Sequence, residues 1–193
     1  MKLNLKRIAI LFVVAVTSFA FKSEFEEITG WSLRGSHPES YEIGLENCED
    51  KAGRVAYLKS NAPEGTINKN FGTLMQSFSA DYYLNKKLKL TGNIRTKNVE
   101  SWAGMWMRVD GKRKHSLSFD NMRDRKIKGT TEWTKYEIIL DVPKSSTTIS
   151  YGVLLQGIGS VWLDDLTFEE VSVEVTTTGK NLKMRPTNSS FED

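Results

Sequence analysis

The chain has 193 residues, with 27 Lys+Arg against 24 Asp+Glu, a formal net charge of +3, one cysteine and two histidines. That length fits one domain with short appendages and suffices to bury a core without covalent staples. A single cysteine excludes an internal disulfide, and two histidines exclude a histidine-rich metal centre.

In chain order the first feature is the segment Met1–Ala20. Lys2, Lys6 and Arg7 precede the apolar run Ile8–Val16, and Ser18-Phe19-Ala20 puts small residues at the spacing a signal peptidase cuts. The run is too short to span a bilayer comfortably. Residues 1–20 are therefore expected to be a cleaved signal peptide and the protein secreted or periplasmic, with no membrane span after cleavage. The alternatives are an N-terminal anchor or a buried strand. The segment holds three basic residues and no acidic one, so the rest of the chain balances its charges. Bulk electrostatics then give no reason to expect a nucleic-acid or anionic-membrane partner.

Cys48 is flanked by Glu46, Asn47, Glu49 and Asp50. Nearby carboxylates raise a thiol pKa and oppose nucleophilic use, so this thiol is expected to be incidental. From here on the pattern is of strands. Tyr41–Leu45, Val55–Ser60, Thr73–Ser79, Lys87–Lys97, Trp102–Val109, His115–Met122, Tyr136–Val142, Ile149–Gln156 and Val161–Val171 are the candidates. Alternation is clearest where Leu88, Leu90 and Ile94 oppose Lys89, Thr91, Asn93 and Arg95, and where Tyr136, Ile138, Leu140 and Val142 oppose Lys135, Glu137 and Asp141. Turn residues fall between them at Asp50–Gly53, Ala62–Gly65, Asp110-Gly111, Pro143–Ser146 and Gly157–Gly159. About nine short strands with no clean helical period predict an all-β fold, an antiparallel β-sandwich of the jelly-roll type, over residues 21–172. Residues 173–193, polar and without alternation from Thr176, are expected to form a flexible tail.

Within Ser101–Asp110, Ala103, Met105, Met107 and Val109 share one face, and Trp102, Gly104, Trp106 and Arg108 the other. The uniformly apolar Met/Val face is the natural core face, which leaves two Trp and one Arg outward with Gly104 making room between them. The alternative is that both Trp are core and the Met face is covered by something else. Outward Trp rings suit sugars, whose C–H faces stack on them while Arg, carboxylates and amides hold the hydroxyls. The strand after Asp110-Gly111 offers Ser116, Ser118 and Asp120 on its polar face, with Asp120 expected to reach Arg108. Asn121 and Met122 are expected at the edge of the same site. The basic stretch Lys112–Lys114, Arg123, Arg125, Lys126 and Lys128 is read either as a solvated hairpin and loop or as a contact for an anionic glycan or phosphate backbone.

Catalytic motifs are absent: no phosphate loop, no G-x-S-x-G, no H-E-x-x-H, no C-x-x-C. His37 sits in a turn and His115 in a basic run, both expected at the surface. Asp164-Asp165 are adjacent, so on a regular strand they point to opposite faces and make no hydrolytic pair. The chain is read as no enzyme.

The segments W.KYEIILDVP (Trp133–Pro143) and I.YGVLLQG.G.VWLDDLTFE (Ile149–Glu169), with Phe25-Glu26 and Gly30-Trp31 ahead of them, resemble carbohydrate-binding-module jelly rolls of the galactose-binding-like superfamily. More narrowly, GSHPESYEIG, WAGMWMRVDG and SFDNMRDR.IKGTTEW are similar to a group of small bacterial proteins often labelled transcriptional regulators. The resemblance implies a non-catalytic module that binds or senses a poly- or oligosaccharide, and the alternation puts Trp102, Trp106, Arg108, Asp120, Asn121 and Met122 around the expected ligand. It also implies a structural Ca²⁺ held by Glu26 and Asp165, with Asp164 as a further ligand. The rival readings are a β-sandwich that binds a protein partner and an accessory domain of a glycoside hydrolase.

Overall fold

The structure is a computed structural model in which residues 28–63 and 69–181 are described. The expected signal segment 1–20 and Glu26 lie outside the described residues. No α-helix occurs among the described residues, and ten strands do: β1 (Ser32–Gly35), β2 (Tyr41–Asn47), β3 (Arg54–Ser60), β4 (Phe71–Ser79), β5 (Lys86–Gly111), β6 (Ser116–Asp120), β7 (Ile127–Val142), β8 (Ser146–Gln156), β9 (Ser160–Val171) and β10 (Lys180–Asn181). All pairings are antiparallel. The fold is an all-β jelly-roll sandwich.

Two expected strands are one. Lys87–Lys97 and Trp102–Val109 both belong to β5, which spans 26 residues and serves both layers. Its first half pairs with β7 and β9 in a rear sheet that continues through β3 to β2. Its second half pairs with β8 and β6 in a front sheet that continues through β4 to β1. The corner lies where Asn98 has φ 52° and the register with β7 slips around Thr96, Val99 and Ala103. A left-handed residue and irregular pairing turn a strand between sheets without ending its hydrogen bonding.

Alternation then fills the space between the layers. Met105, Met107, Val109, Ile149, Val153 and Leu155 from the front sheet meet Leu58, Leu88, Leu90, Ile94, Ile138, Leu140, Val161 and Leu163 from the rear, all buried in one cluster. Tyr151, Trp31, Phe78, Phe168 and Tyr83 close one part of it through edge-on ring contacts. The Met face of β5 is core, as the uniform apolarity of that face predicts.

The segment after β9 is not free along its described length. Thr178 hydrogen-bonds the Ile139 backbone through N–H and hydroxyl, and Lys180 and Asn181 pair with Phe119 and Ser118. The buried Lys87 donates to the carbonyls of Val173 and Val175. These contacts are backbone-led, which a search for apolar alternation does not detect.

Candidate functional site

The second half of β5 turns its other face away from the core, and the neighbouring strands do the same in register. Successive rows run across this outer face. Phe71, Gln156 and Trp102 form the first; Arg34, Thr73, Leu154 and Gly104 the second; Met75, Gly152 and Trp106 the third; Ser77, Ser150, Arg108 and Phe119 the fourth. Together with Asn121, the upper rows line a groove of about 360 Å³. Trp102, Trp106 and Leu154, packed with Met75, form a small apolar cluster of their own, separate from the main core.

Both Trp are on the predicted face, but neither presents a free ring. They are 8% and 7% exposed and make up the groove floor. Each indole N–H has a partner: Trp102 donates to Gln156 Oε1 at 2.5 Å, and Trp106 to Thr73 Oγ1 at 2.7 Å. Gly152, which stands between Met75 and Trp106, admits no side chain, because a Cβ there would lie 2.0 Å from the Leu74 carbonyl oxygen. Gly104 does not leave open space between the two indoles. A Cβ there would meet the Asn121 carbonyl and Met122 Cβ at 3.1 Å, and Trp102 itself at 3.4 Å.

The exposed rings are Phe71 and Phe119, at 40% and 38%. They stand on β4 and β6, with β8 and β5 between them, three strand spacings or ~14 Å apart across the sheet and six residues or ~20 Å apart along the strands. Sequence reading missed both. Phe71 precedes the expected strand Thr73–Ser79, and the alternation that puts Ser116, Ser118 and Asp120 on the site face of the strand after Asp110-Gly111 puts Phe119 on the opposite one. The structure reverses that strand: Phe119 pairs with Arg108 and faces the groove, while Ser118 and Asp120 are buried. The cause is an irregularity at Val109/Asp110, which shifts the register by one and so exchanges the faces. Arg34, on the four-residue β1, was also missed, because so short an edge strand carries no detectable alternation.

The remaining predicted residues divide. Arg108 is half-buried in the groove; its Nε donates to Asp110 Oδ2 at 2.9 Å and its Nη2 forms an ion pair with the same oxygen at 2.9 Å. Asn121 lines the groove. Asp120 does not reach Arg108. It accepts from Arg125 Nη2 at 2.6 Å and from the Met122 N–H at 2.8 Å, fixing the loop after β6. Burial alone would lower the Arg125 pKa, yet Asp120 and Asp124 together more than offset it and the net shift is upward. Met122 is fully buried, with φ 60°, and belongs to the core. Asp120 and Met122 therefore stand outside the groove lining, Asp120 fixing the loop after β6 and Met122 packing against Gly104.

The outer face of the rear sheet carries a second aromatic group. Arg95 lies over Trp162 and Trp133 at 4.7 and 5.2 Å, Lys59 over Tyr57 at 4.0 Å, and Lys51 over Trp133 at 5.1 Å. Trp162 donates to Glu46 Oε1 at 2.5 Å. Burial raises the Glu46 pKa, but the bonds from Lys59 and Trp162 outweigh it and hold the carboxyl below its ordinary value. Cys48 is buried against Val55 and Trp162, in keeping with an incidental thiol.

The expected calcium ligands can be followed in part. Asp164 and Asp165 both reach Lys51 Nζ, at 3.0 and 2.5 Å, and Asn93 donates to Asp165 at 2.8 Å. They converge because Asp165 has φ 53° and the register with β5 slips between Thr91 and Asn93, so strict alternation does not apply. Lys51 compensates both carboxylates and holds the largely exposed Asp165 below the ordinary carboxylate range. No group of three His, Cys, Asp or Glu residues gathers among the described residues. A Ca²⁺ at this place depends on Glu26, outside the described residues, and on displacing Lys51. His37 and His115 are exposed, as expected.

Comparison with known proteins adds the following. No family model matches the chain. The uncharacterized HTH-type transcriptional regulator YbfP of Bacillus subtilis (strain 168) is 45% identical over 175 residues, which cover 87% of this chain and 58% of that protein. The chain thus spans less than two thirds of that relative's length. A structure concerning carbohydrate-binding modules of the β-sandwich superfamily matches with TM-score 0.50 and 12% identity, over 75% of this chain and 58% of that one. The fold is that of carbohydrate-binding-module jelly rolls. The enzymatically active domain of bacteriophage CBA120 tailspike protein 4 also matches, with TM-score 0.56 and 12% identity over 76% of this chain and 20% of that one. So does the α-L-arabinofuranosidase MgGH51, with TM-score 0.52 and 12% identity over 74% and 23%. At such identities the likeness is one of fold. Both halves of the resemblance read from the sequence, to these jelly rolls and to bacterial proteins called regulators, are thereby met.

Proposed function

We propose that the protein binds an oligosaccharide non-catalytically in the groove of the front sheet. The observation that carries this reading is the groove itself. It is an apolar floor of two Trp and a Leu, flanked by exposed Phe71 and Phe119 and edged by Arg34, Arg108, Asn121 and Gln156. Apolar rings beside a few fixed hydrogen-bonding groups are what sugar recognition requires. Stacking falls to the two Phe. The two Trp support the floor, and Arg108 and Asn121 offer donors to hydroxyls. Hydrolysis of a glycosidic bond needs two carboxyl groups, and no Asp or Glu lines this groove among the described residues. That supports binding without catalysis.

The structural likeness to carbohydrate-binding modules supports the same reading, and the likeness to a protein named a regulator supports sensing as its use. Export belongs to this proposal and rests on the pattern of residues 1–20. No helix among the described residues is long and apolar enough to cross a membrane. A glycan array probed with the protein tests the proposal. Binding to one or more glycans is the expected result. A blank array together with a co-purifying protein partner would overturn it in favour of protein interaction, and release of sugar from any bound glycan would overturn its non-catalytic part.

A further inference from the structure

The rows of the groove change character along the strands. The middle of the floor is apolar, with Trp102, Leu154, Met75 and Trp106, while the fourth row carries Ser77, Ser150 and Arg108 beside Phe119, its two serine hydroxyls 2.8 Å apart. Beyond Arg108 the surface opens into a second depression of about 370 Å³, which shares Met75 and Arg108 with the groove. Its far wall is the β5–β6 turn, where Arg113 and Lys114 are exposed and have φ 57° each. Neither makes an ion pair among the described residues. The one carboxylate in this depression, Asp110, is 3% exposed and already paired with Arg108. Arg108 contributes Nε and Nη2 to that pair and keeps Nη1 for another acceptor. The depression therefore joins directly to the groove and carries two cations more than its anion requires.

We infer that the oligosaccharide held in the groove carries an acidic substituent, a carboxylate or a sulfate ester, docked at Arg108, Arg113 and Lys114. This rests on the groove being a sugar site. Charge-assisted donors of this kind fix an anionic oxygen more strongly than a hydroxyl, and guanidinium groups match its geometry. A single-stranded nucleic acid also needs rings and cations, but its phosphates call for cations all along the groove. Here Arg108, Arg113 and Lys114 gather at one end, while Arg34 and Lys126, the latter 5.7 Å from the Trp102 ring, stand apart from them.

The test is calorimetric titration against uronic-acid and sulfated oligosaccharides, each beside its carboxyl-reduced or desulfated counterpart. The acidic form is expected to bind about tenfold more tightly at low salt, a difference of roughly 1.4 kcal/mol. Added salt and the double substitution Arg113→Gln/Lys114→Gln should each erase that advantage while leaving the affinity for the neutral form unchanged. Whether the uronate or the sulfate arm shows the effect identifies the acid. Equal binding of charged and neutral forms would overturn the inference and leave the groove reading intact. Binding of neither form, or displacement of a bound glycan by a single-stranded oligonucleotide, would overturn both. Both substituted residues are exposed, so loss of fold does not confuse the outcome.

Discussion

Phe119 and Trp106 line the same groove and should answer differently to truncation. Trp106 is 7% exposed and donates to Thr73, so Trp106→Ala opens a cavity and removes one hydrogen bond from a Thr73 hydroxyl that still donates to the Val153 carbonyl. A loss of about 3–5 kcal/mol is expected in denaturant unfolding, and any loss of binding would be inseparable from it. Phe119→Ala removes a ring that is already substantially solvated. Its cost in stability should stay below about 1 kcal/mol, and glycan affinity should fall at least tenfold. Glu46 offers a residue-scale test by pH. Its folded pKa lies below the ordinary 4.5, so the stability it contributes is fully present above that value. That stability is lost as pH falls through the lowered folded value. Melting temperatures measured on the acid limb should therefore fall less steeply in Glu46→Gln than in the parent.

At the scale of elements, β5 decides how much the sequence could reveal. Its alternation was legible in both halves, so the Met face was placed in the core and Trp102, Trp106 and Arg108 on the outer face. Its continuity was not legible, since a single left-handed Asn98 leaves no compositional signature. The same limit reversed β6: one irregularity at Val109/Asp110 exchanges faces, which brought out Phe119 and buried Asp120. Residues tied to backbone groups, such as Thr178, escape any pattern of apolar spacing. Gly152 was legible only as a small residue, yet Leu74 and Trp106 close in on it from neighbouring strands. Gly152→Ala should force β4 from β8 and lower the melting temperature by several degrees, with a loss of about 1–3 kcal/mol. Asp164 and Asp165 belong to this scale too, because Lys51 joins the β2–β3 turn to β9 through them. If Glu26 completes a calcium site there, EDTA should lower the melting temperature and Ca²⁺ restore it; an unchanged melt removes the ion from the account.

For the whole molecule, the sandwich has two outer faces with aromatic character, and they differ in kind. On the rear face, the rings of Trp162, Trp133 and Tyr57 are covered by Arg95, Lys51 and Lys59, which pair with Asp50, Asp164 and Glu46, while the buried Trp133 indole N–H has no partner among the described residues. On the front face the floor is internally satisfied, while two rings and several donors remain turned to an open groove. The proposed recognition lies on the front face. The most direct measurement is calorimetric titration of the tightest array ligand into the parent, Phe119→Ala and Tyr57→Ala proteins, each checked for an unchanged melting temperature. The front-face variant should lose at least tenfold in affinity and the rear-face variant should match the parent. Full affinity in Phe119→Ala with loss in Tyr57→Ala would contradict the account.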